Sequence, residues 1–208
     1  KEKKLEAYGA DVDDSVNFQV YNNIGLEEST TQAVEETKGR ILSQNGKPIE
    51  AYYFSTSAGV TSTDEIWGAE NAAPYLKSVD CGFDSEEPWR TWETEVSREV
   101  IEQRAQRIEG CEGRLTGLEV TGKSESGAAT RLRVHTEGGD GEVVNEYEIR
   151  SFLAPDKEIF AGKEKEKKKG GSLLPSAYFS LEETEDGFLI CGGGYGHGVG
   201  MSQAAAGT

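Results

Sequence analysis

The sequence predicts an α+β fold in which antiparallel sheet dominates, helices are few and loops are long. Three observations predict it: a hairpin signal at Asn45–Gly46, alternating apolar and polar residues through much of the second half, and only two segments with helical spacing. The length of 208 residues suits a single domain over residues 1–208. Within it, we interpret residues 112–150 as a candidate inserted or appended β-meander subdomain.

The hairpin signal is the dipeptide Asn45–Gly46 between two strand-like segments, residues 40–44 and 47–55. Asparagine and glycine adopt positive φ readily, as a type I′ hairpin turn requires. The second segment then brings the small polar residues 55–63 to the end of a strand, where backbone groups are free to meet a ligand.

Two helices are predicted from their capping signals. Ser29 and Gln32 fit a capping box at the start of a short helix over residues 30–38. Ser97 is placed to cap a second helix that runs to Ile108. The apolar face of this second helix consists of Val100, Ile101, Ala105 and Ile108.

Alternating apolar and polar residues predict the remaining strands. They cover residues 114–122, 129–136 and 142–149, which form an antiparallel meander, and then residues 176–182 and 187–191. Between the meander and the last pair, the like-charged run Lys163–Lys169 predicts a solvated loop rather than a binding patch.

The charge balance argues against one class of partner. With 38 acidic against 22 basic side chains, the formal net charge is −16. Such a surface repels a phosphate backbone, so we expect no nucleic-acid partner. The sequence has no apolar run of about 18 residues to span a membrane, and its first residues lack the apolar core of a signal peptide. Either the protein is cytosolic or its targeting segment lies outside this chain.

The three cysteines, Cys81, Cys111 and Cys191, are too few and too far apart for a metal framework. Two interpretations stay open. All three are buried small hydrophobic residues, or Cys81 and Cys111 form a disulfide in an exported protein.

The segment Cys191–Gln203 is the most unusual in the chain, with six glycines among the nine residues 192–200. Such a density indicates positive φ or a close backbone approach. A dinucleotide fingerprint needs a long following helix and an acidic residue about 20 positions on, but the sequence ends at Thr208. No Gly-Lys-Ser or Gly-Lys-Thr follows for a Walker loop. We therefore expect no nucleotide and no other cofactor.

His197 lies between two glycines, so no neighbouring side chain covers its ring. Its nitrogens are used either for hydrogen bonding or proton transfer near neutral pH, or they merely tie the loop to itself. A zinc site is disfavoured because the only other histidine, His135, lies in a predicted meander strand, so we expect no metal.

The segment Gly194–Gln203 resembles the signature G-x-G-H-G-V-G-M-S-Q of the SpoIID and LytB family. Upstream, Ala51–Thr61 followed by Ile66–Gly68 is similar to the strand, Ser-rich turn and Val-Trp pattern of that family. Further similar segments occur in the family's order, so the resemblance covers roughly residues 15–203. They are Gln19–Tyr21, Ala33–Val34, Thr37–Gly39 and Pro74–Val79.

The resemblance implies a peptidoglycan lytic transglycosylase, which cleaves glycan strands between N-acetylmuramic acid and N-acetylglucosamine and leaves an anhydro-muramyl end. A single carboxyl group with a raised pKa would protonate the glycosidic oxygen and then accept the proton of the sugar hydroxyl that closes the ring. The alternative implied by the same family is a non-catalytic glycan-binding amidase enhancer.

The sequence departs from the family pattern at both ends. The family's catalytic Glu lies in an S-E-M-P segment upstream of the Gln-Val-Tyr region, and no such segment precedes residue 15. We therefore expect the general acid upstream of Lys1. The family's C-terminal continuation is also not found before Thr208. Within the chain, we considered Glu65 as the general acid, because desolvation by the indole of Trp67, two residues on, would favour its protonated form. A structural or solvated Glu is the favoured interpretation of this residue.

The resemblance and the residue types together predict a substrate-positioning shell. Hydroxyls and amides suit the polar groups of N-acetyl sugars, and aromatic faces suit pyranose rings. The alternative for each residue alone is ordinary turn capping. The predicted supporting residues near the chemistry are His197 and Tyr195, and the predicted substrate-binding residues are Tyr53, Ser55, Ser57, Thr61, Ser202 and Gln203.

The expected partners follow from the same resemblance. They are peptidoglycan glycan strands and a second wall hydrolase, with a membrane involved only through a tether outside this chain. We expect an extracellular or membrane-anchored protein that faces the cell wall and acts in wall remodelling such as sporulation. Because wall polymers are anionic and the chain is acidic, bulk electrostatics should not hold it there.

Overall fold

The computed structural model describes residues 5–10, 13–14, 25 and 27–207. The chain divides into two compact units, Lys1–Ser43 and Gln44–Thr208, which are described separately. The first unit contains a 3₁₀ turn at Glu6–Tyr8 and the helix α1, Glu28–Glu36.

Helix α1 begins earlier than predicted, so the capping-box interpretation is wrong. Its N-cap residue is Glu27, whose side chain makes no capping hydrogen bond, and Ser29 lies inside the first turn. Gln32 does not reach back to the N-terminus but donates to Glu36 at 2.7 Å. An acidic Glu28 in the first turn suits the positive end of the helix dipole, which explains a start without a hydroxyl cap.

The second unit, with its first strand beginning at the boundary residue Ser43, carries the sheets found among the described residues. The strands are β1 (Ser43–Gln44), β2 (Lys47–Pro48), β3 (Tyr53–Phe54), β4 (Trp92–Ser97), β5 (Leu115–Lys123), β6 (Ala129–Thr136), β7 (Gly139–Val144), β8 (Ile159–Ala161), β9 (Glu166–Lys168), β10 (Phe179–Glu183), β11 (Gly187–Gly192) and β12 (Met201–Ser202). The helices are α2 (Arg98–Ala105), α3 (Glu146–Phe152) and α4 (Gln203–Ala206), with 3₁₀ turns at Asp64–Trp67 and Pro88–Arg90.

Two sheets form the body of this unit. The larger has the strand order β10-β11-β4-β8-β9 and the smaller is the meander β5-β6-β7. Every pair of neighbouring strands in both sheets is antiparallel. The predicted α+β fold with dominant antiparallel sheet is therefore confirmed.

The predicted hairpin is also confirmed. Strands β1 and β2 pair around Asn45–Gly46, whose φ values are 50° and 75°. Both values are positive, as a type I′ turn requires. The second arm is interrupted after Pro48 and resumes as β3, which leads into the polar turn.

The third meander strand ends earlier than predicted, and the prediction of strand through residue 149 is wrong. Asn145 has a φ of 74°, which breaks the strand, and its side-chain oxygen accepts the N–H of Glu148 at 3.0 Å. This is an N-cap, so residues 146–152 form helix α3 instead. A short segment of alternating apolar and polar residues does not distinguish a strand from a helix.

Two smaller differences concern α2 and the lysine run. Helix α2 ends at Ala105, short of the predicted Ile108, and a turn through Gly110 follows. A Cβ at Gly110 would lie 2.7 Å from a meander carbonyl, so the chain must leave the helix to pass this close. Part of the lysine run forms the edge strand β9 rather than a loop, with Lys167 paired to Glu158.

One apolar core joins the two sheets. The larger sheet, the meander and the helices α2 and α3 all contribute fully or almost fully buried side chains to it. Sharing a core in this way stabilises the meander against the rest of the unit; the separate status of residues 112–150 stays a prediction. The core side chains include Trp92, Val96, Phe188, Ile190, Leu132, Val134, Ile101 and Ile149.

Candidate functional site

The glycine-rich tail, Cys191–Gln203, lies directly beside the polar turn, residues 55–63. Strand β12 pairs in parallel with β3, so that Met201 is opposite Tyr53. Thr56 and Tyr195 exchange two backbone hydrogen bonds, with N···O distances of 3.2 and 2.8 Å. The N–H of Ser62 donates to the carbonyl of Gly198 at 2.7 Å. The tail is therefore attached to both ends of the turn, and we call this region of contact the joint of turn and tail.

The glycines make this approach possible. Gly194 and Gly196 have φ values of 82° and 112°, which other residues rarely adopt. A Cβ at Gly200 would lie 2.2 Å from the carbonyl oxygen of Tyr52, closer than any side chain can approach. The glycine density noticed in the sequence thus has both of the causes expected for it.

Asp84 is the central buried residue, or hub, whose side chain bonds to both turn and tail. It was not among the residues predicted from the sequence. Its side chain is fully buried. It accepts the Ser57 N–H at 2.7 Å, the Ser57 hydroxyl at 2.8 Å and the Ser202 hydroxyl at 2.7 Å. Arg90 Nη1 lies 3.1 Å from its Oδ1. One carboxylate therefore joins three segments that are distant in sequence.

The charge of Asp84 is stabilised by these donors. Burial alone would raise the pKa of its carboxyl group, but the hydrogen bonds from Ser57 and Ser202, with the Arg90 charge, lower that pKa below its ordinary value. The carboxylate is thus held ionised, as a structural anion rather than a proton donor.

Three of the predicted substrate-binding residues are buried by this arrangement. Ser57 and Ser202 are 1% and 4% exposed, and both hydroxyls are bound to Asp84. Thr61 is 4% exposed, donates to the Lys77 carbonyl and accepts the Val79 N–H. These bonds hold the turn, as the turn-capping alternative expects, and substrate binding by the three residues stays a prediction.

His197 is enclosed by aromatic rings. Its ring lies edge-on to Trp67 and Phe54, with centroids 5.1 and 5.8 Å away. The Val199 N–H donates to Nδ1 at 3.1 Å, so this nitrogen carries no proton and the neutral ring is protonated at Nε2. Burial lowers the pKa of His197. The ring therefore ties the loop to itself, which favours the second of the two interpretations.

A buried ion pair supports this aromatic cluster from α3. Glu146 is 1% exposed and accepts Arg150 Nη1 at 2.6 Å and Trp67 Nε1 at 3.3 Å. Arg150 also donates to the carbonyls of Leu174 and Pro175. The two residues are four apart on α3, but their other partners, Trp67, Leu174 and Pro175, come from distant segments, so the burial of the pair is not visible in the sequence.

The other predicted residues lie nearer the surface. Tyr195 is 43% exposed and its ring lies 4.5 Å from that of Trp89, which leaves an aromatic surface open to solvent. Tyr53 and Ser55 are half-buried, and Gln203 is exposed at the start of α4. Substrate binding by Tyr53, Ser55 and Gln203 stays a prediction.

The surroundings of Glu65 do not suit the role of internal general acid that was considered for this residue. Its side chain is exposed, and its carboxylate accepts the Thr63 hydroxyl at 2.8 Å. Desolvation by the neighbouring Trp67, which was the reason for considering it, is therefore weak.

A groove of about 600 Å³ opens next to the joint of turn and tail. None of the eight predicted site residues lines it. Its walls come from the polar turn, from the β8–β9 connection and from the strands of the larger sheet. They are formed by Ala58, Val60, Thr91, Trp92, Glu93, Ser126, Phe160, Gly162, Lys165, Tyr178, Phe179, Ser180, Cys191, Gly192 and Gly193.

The cysteines are free thiols in the structure. Cys81 and Cys111 are buried, as the first interpretation expects, and no disulfide joins them. Cys191 is only partly buried and lies in the groove.

Among the described residues, no helix has the length and apolar character needed to cross a bilayer. The same part of the chain contains no group of three His, Cys, Asp or Glu side chains placed to hold a metal ion.

Comparisons with known proteins identify related sequences. A family model described as "Domain of unknown function (DUF8618)" matches residues 68–200. The chain is 32% identical over 95% of its length to "Stage II sporulation protein D" of Bacillus subtilis, covering 53% of that protein. It is 30% identical over 95% of its length to the protein of the same name from Bacillus amyloliquefaciens, again covering 53%.

A more distant relative carries another name. The chain is 24% identical over 95% of its length to "Amidase enhancer" of Bacillus subtilis, covering 32% of that protein. The chain thus spans about half or less of the length of these curated relatives. Gln19–Tyr21, one of the segments that resembled the family, lies outside the described residues. From the remaining motifs and these matches along nearly its whole length, the chain belongs to the SpoIID-like family.

Proposed function

We propose that the protein is a peptidoglycan lytic transglycosylase that cleaves glycan strands between N-acetylmuramic acid and N-acetylglucosamine, and that it acts in cell-wall remodelling such as sporulation. The names of the relatives support a role connected with sporulation and the wall. The observation that carries the proposal is the exposed Tyr195 ring on Trp89, at the joint of turn and tail. Such an aromatic surface can hold the apolar face of a pyranose ring.

The proposed reaction needs a carboxyl group that is protonated before bond cleavage. Asp84, the buried carboxylate at the joint, has a lowered pKa and therefore cannot serve as that acid. We assign the general acid to a segment upstream of Lys1. In this proposal the joint of turn and tail holds the strand while the upstream carboxyl group reacts.

The test uses the full-length protein with purified glycan strands stripped of their peptides. We expect mass spectrometry to detect anhydro-muramyl ends. Replacing Tyr195 by Ala should lower the rate about tenfold, since a lost ring contact of about 1–1.5 kcal/mol corresponds to that factor. The matched control is Tyr147→Ala on α3, which removes a tyrosine that is 55% exposed, against 43% for Tyr195. If the glycan strands stay intact in the presence of the folded protein, the proposed lytic transglycosylase activity is refuted.

The second candidate is a non-catalytic module that binds glycan and stimulates another wall hydrolase. The match to "Amidase enhancer" over 95% of the chain favours it. It predicts glycan binding without anhydro-muramyl products, together with faster release of peptides by an added amidase. Measuring both products in one digest distinguishes the two candidates.

We further propose that the protein faces the cell wall, exported or held by a membrane tether outside this chain. With a net charge of −16, attraction to anionic wall polymers cannot hold it there. Binding to purified glycan should then change little between low and moderate salt. A steep loss of affinity with salt would contradict this.

A further inference from the structure

We propose that the groove on the outer face of the larger sheet is a subsite for an N-acetylated sugar unit, with Glu93, Lys165 and Phe160 as its recognition residues. This rests on the proposed function, because it names where that function's substrate is held. It moves the contact surface away from the buried hydroxyls that the sequence suggested.

The strand register places four different side chains in one row. Ser180 is opposite Cys191, Cys191 is opposite Glu93, and Glu93 is opposite Phe160. Directly opposite residues point to the same side of a sheet, and three strand spacings cover about 14 Å. The row therefore offers a hydroxyl, a thiol, a carboxylate and a phenyl ring along one line.

The neighbouring row shows which side faces outward. It contains Phe179, Trp92 and Ala161, which are 6%, 3% and 0% exposed and belong to the core. Since successive residues point to opposite faces, the row of Glu93 and Phe160 faces solvent. Phe160 is 38% exposed, so its ring is open to a ligand.

The charges in the groove cancel. Its only charged lining residues are Glu93 and Lys165, and their Oε1 and Nζ atoms are 2.8 Å apart. In a chain with a net charge of −16, this neutral surface fits a neutral polar ligand better than an anion or a cation.

An acetamido group matches this pair. Its carbonyl can accept from an ammonium group while its N–H donates to a carboxylate, so Lys165 and Glu93 supply both partners. The acetyl methyl group or a pyranose face can pack on Phe160. At the far end, Ser126 is hydrogen bonded to Tyr178 at 3.2 Å, which places two further hydroxyls on the wall.

The groove also adjoins the joint of turn and tail through adjacent residues of each. Ala58 follows the buried Ser57, and Gly193 precedes Gly194 in the tail. A strand bound in the groove would thus continue toward Tyr195. This continuity favours a polymeric sugar over an isolated small molecule.

The test measures binding of the N-acetylglucosamine tetramer to the full-length protein by calorimetry. The matched ligand is the glucose tetramer, which has the same linkage but no acetamido groups. We expect the N-acetylated tetramer to bind at least about tenfold more tightly. Phe160→Ala and Glu93→Ala should each weaken its binding about tenfold.

The matched control variant is Glu95→Ala. Glu95 lies on the same strand and is paired with Lys157 at 2.8 Å, but it is not part of the groove. Its replacement should change the affinity less than twofold. If wild-type protein binds or cleaves glycan but the Glu93 and Phe160 variants match it, the subsite is refuted and the proposed function stands. If wild-type protein neither binds nor cleaves any glycan, both fail.

A second readout uses the thiol in the row. The tetramer should slow alkylation of Cys191 in the folded protein, because it would cover that side chain. Cys81 and Cys111, each 7% exposed, serve as internal controls for unfolding. Tetramer binding that leaves the Cys191 rate unchanged would place the sugar elsewhere and overturn the assignment.

Discussion

The hydroxyl of Ser202 donates to Asp84 Oδ2 at 2.7 Å, across 118 positions of sequence. The same carboxylate binds the backbone and side chain of Ser57, so tail and turn meet on one buried anion. Hydrogen bonds to an ionised acceptor are about twice as strong as neutral ones. The relative position of the two motifs therefore depends on the charge of Asp84.

Replacing Asp84 by Asn should destabilise the fold by about 3 kcal/mol, the lower end of the cost of removing one partner from a buried pair. The lower end applies because Arg90 is still 26% exposed. Urea unfolding measures the change. The control is Glu86→Gln, whose pair with Lys163 is largely exposed and should contribute less than about 1 kcal/mol. Equal losses in the two variants would show that Asp84 is not the hub.

Acid should weaken the fold through the same residue. Because the pKa of Asp84 is lower in the folded state than in the unfolded chain, its stabilising contribution is complete above the unfolded value of about 3.9. The contribution is lost as pH falls through the folded-state pKa. The free energy of unfolding, measured from pH 5 downward, should fall more steeply in wild-type protein than in Asp84→Asn. Parallel curves would contradict this sign.

The sequence could predict features that depend on local geometry. Asn45–Gly46 specifies its own turn, and the glycines of the tail announce a close backbone approach whatever they approach. The predicted substrate-positioning shell drew its residues from both the turn and the tail, and the structure brings these two segments together. These signals are local or belong to recognised motifs, so no knowledge of distant contacts was needed.

The parts that could not be predicted depend on burial and on distant partners. A serine in a turn has the same sequence signature whether it faces a ligand or a buried carboxylate, so the bonds of Ser57 and Ser202 to Asp84 could not be predicted. Glu146 is also linked to Trp67, 79 positions away, and this contact is not visible in the sequence. The groove was missed because its row of side chains comes from four strands whose register is not visible in the sequence.

Three glycine-to-alanine variants should separate backbone strain from steric clash. Gly127→Ala, at a φ of 92° with open space around it, should cost about 1–2 kcal/mol from strain alone. Gly200→Ala adds a Cβ 2.2 Å from the Tyr52 carbonyl and should cost clearly more. Gly171→Ala meets neither problem and should change stability by less than about 1 kcal/mol. Thermal unfolding ranks the three, and Gly200→Ala no worse than Gly127→Ala would rule out the clash.

The final prediction concerns the protonation of His197. Burial lowers its pKa below the ordinary value of about 6.5, and protonation of Nδ1 would break the hydrogen bond from Val199. Above pH 6.5 both folded and unfolded chains carry a neutral ring, so this contribution to stability is complete. As pH falls toward the folded-state pKa, the unfolded chain binds the proton first, and the folded state loses stability.

Two measurements check this. The ring C–H signals in NMR should show His197 titrating below its ordinary value, with His135→Asn used to assign the signals. His197→Asn should flatten the fall in unfolding free energy below about pH 6.5, because the titrating ring is then absent. A His197 that titrates above 6.5 would mean that the enclosure by Trp67 and Phe54 does not exclude water from the ring. The tail would then be open at this point, and its imidazolium would be available to a bound sugar.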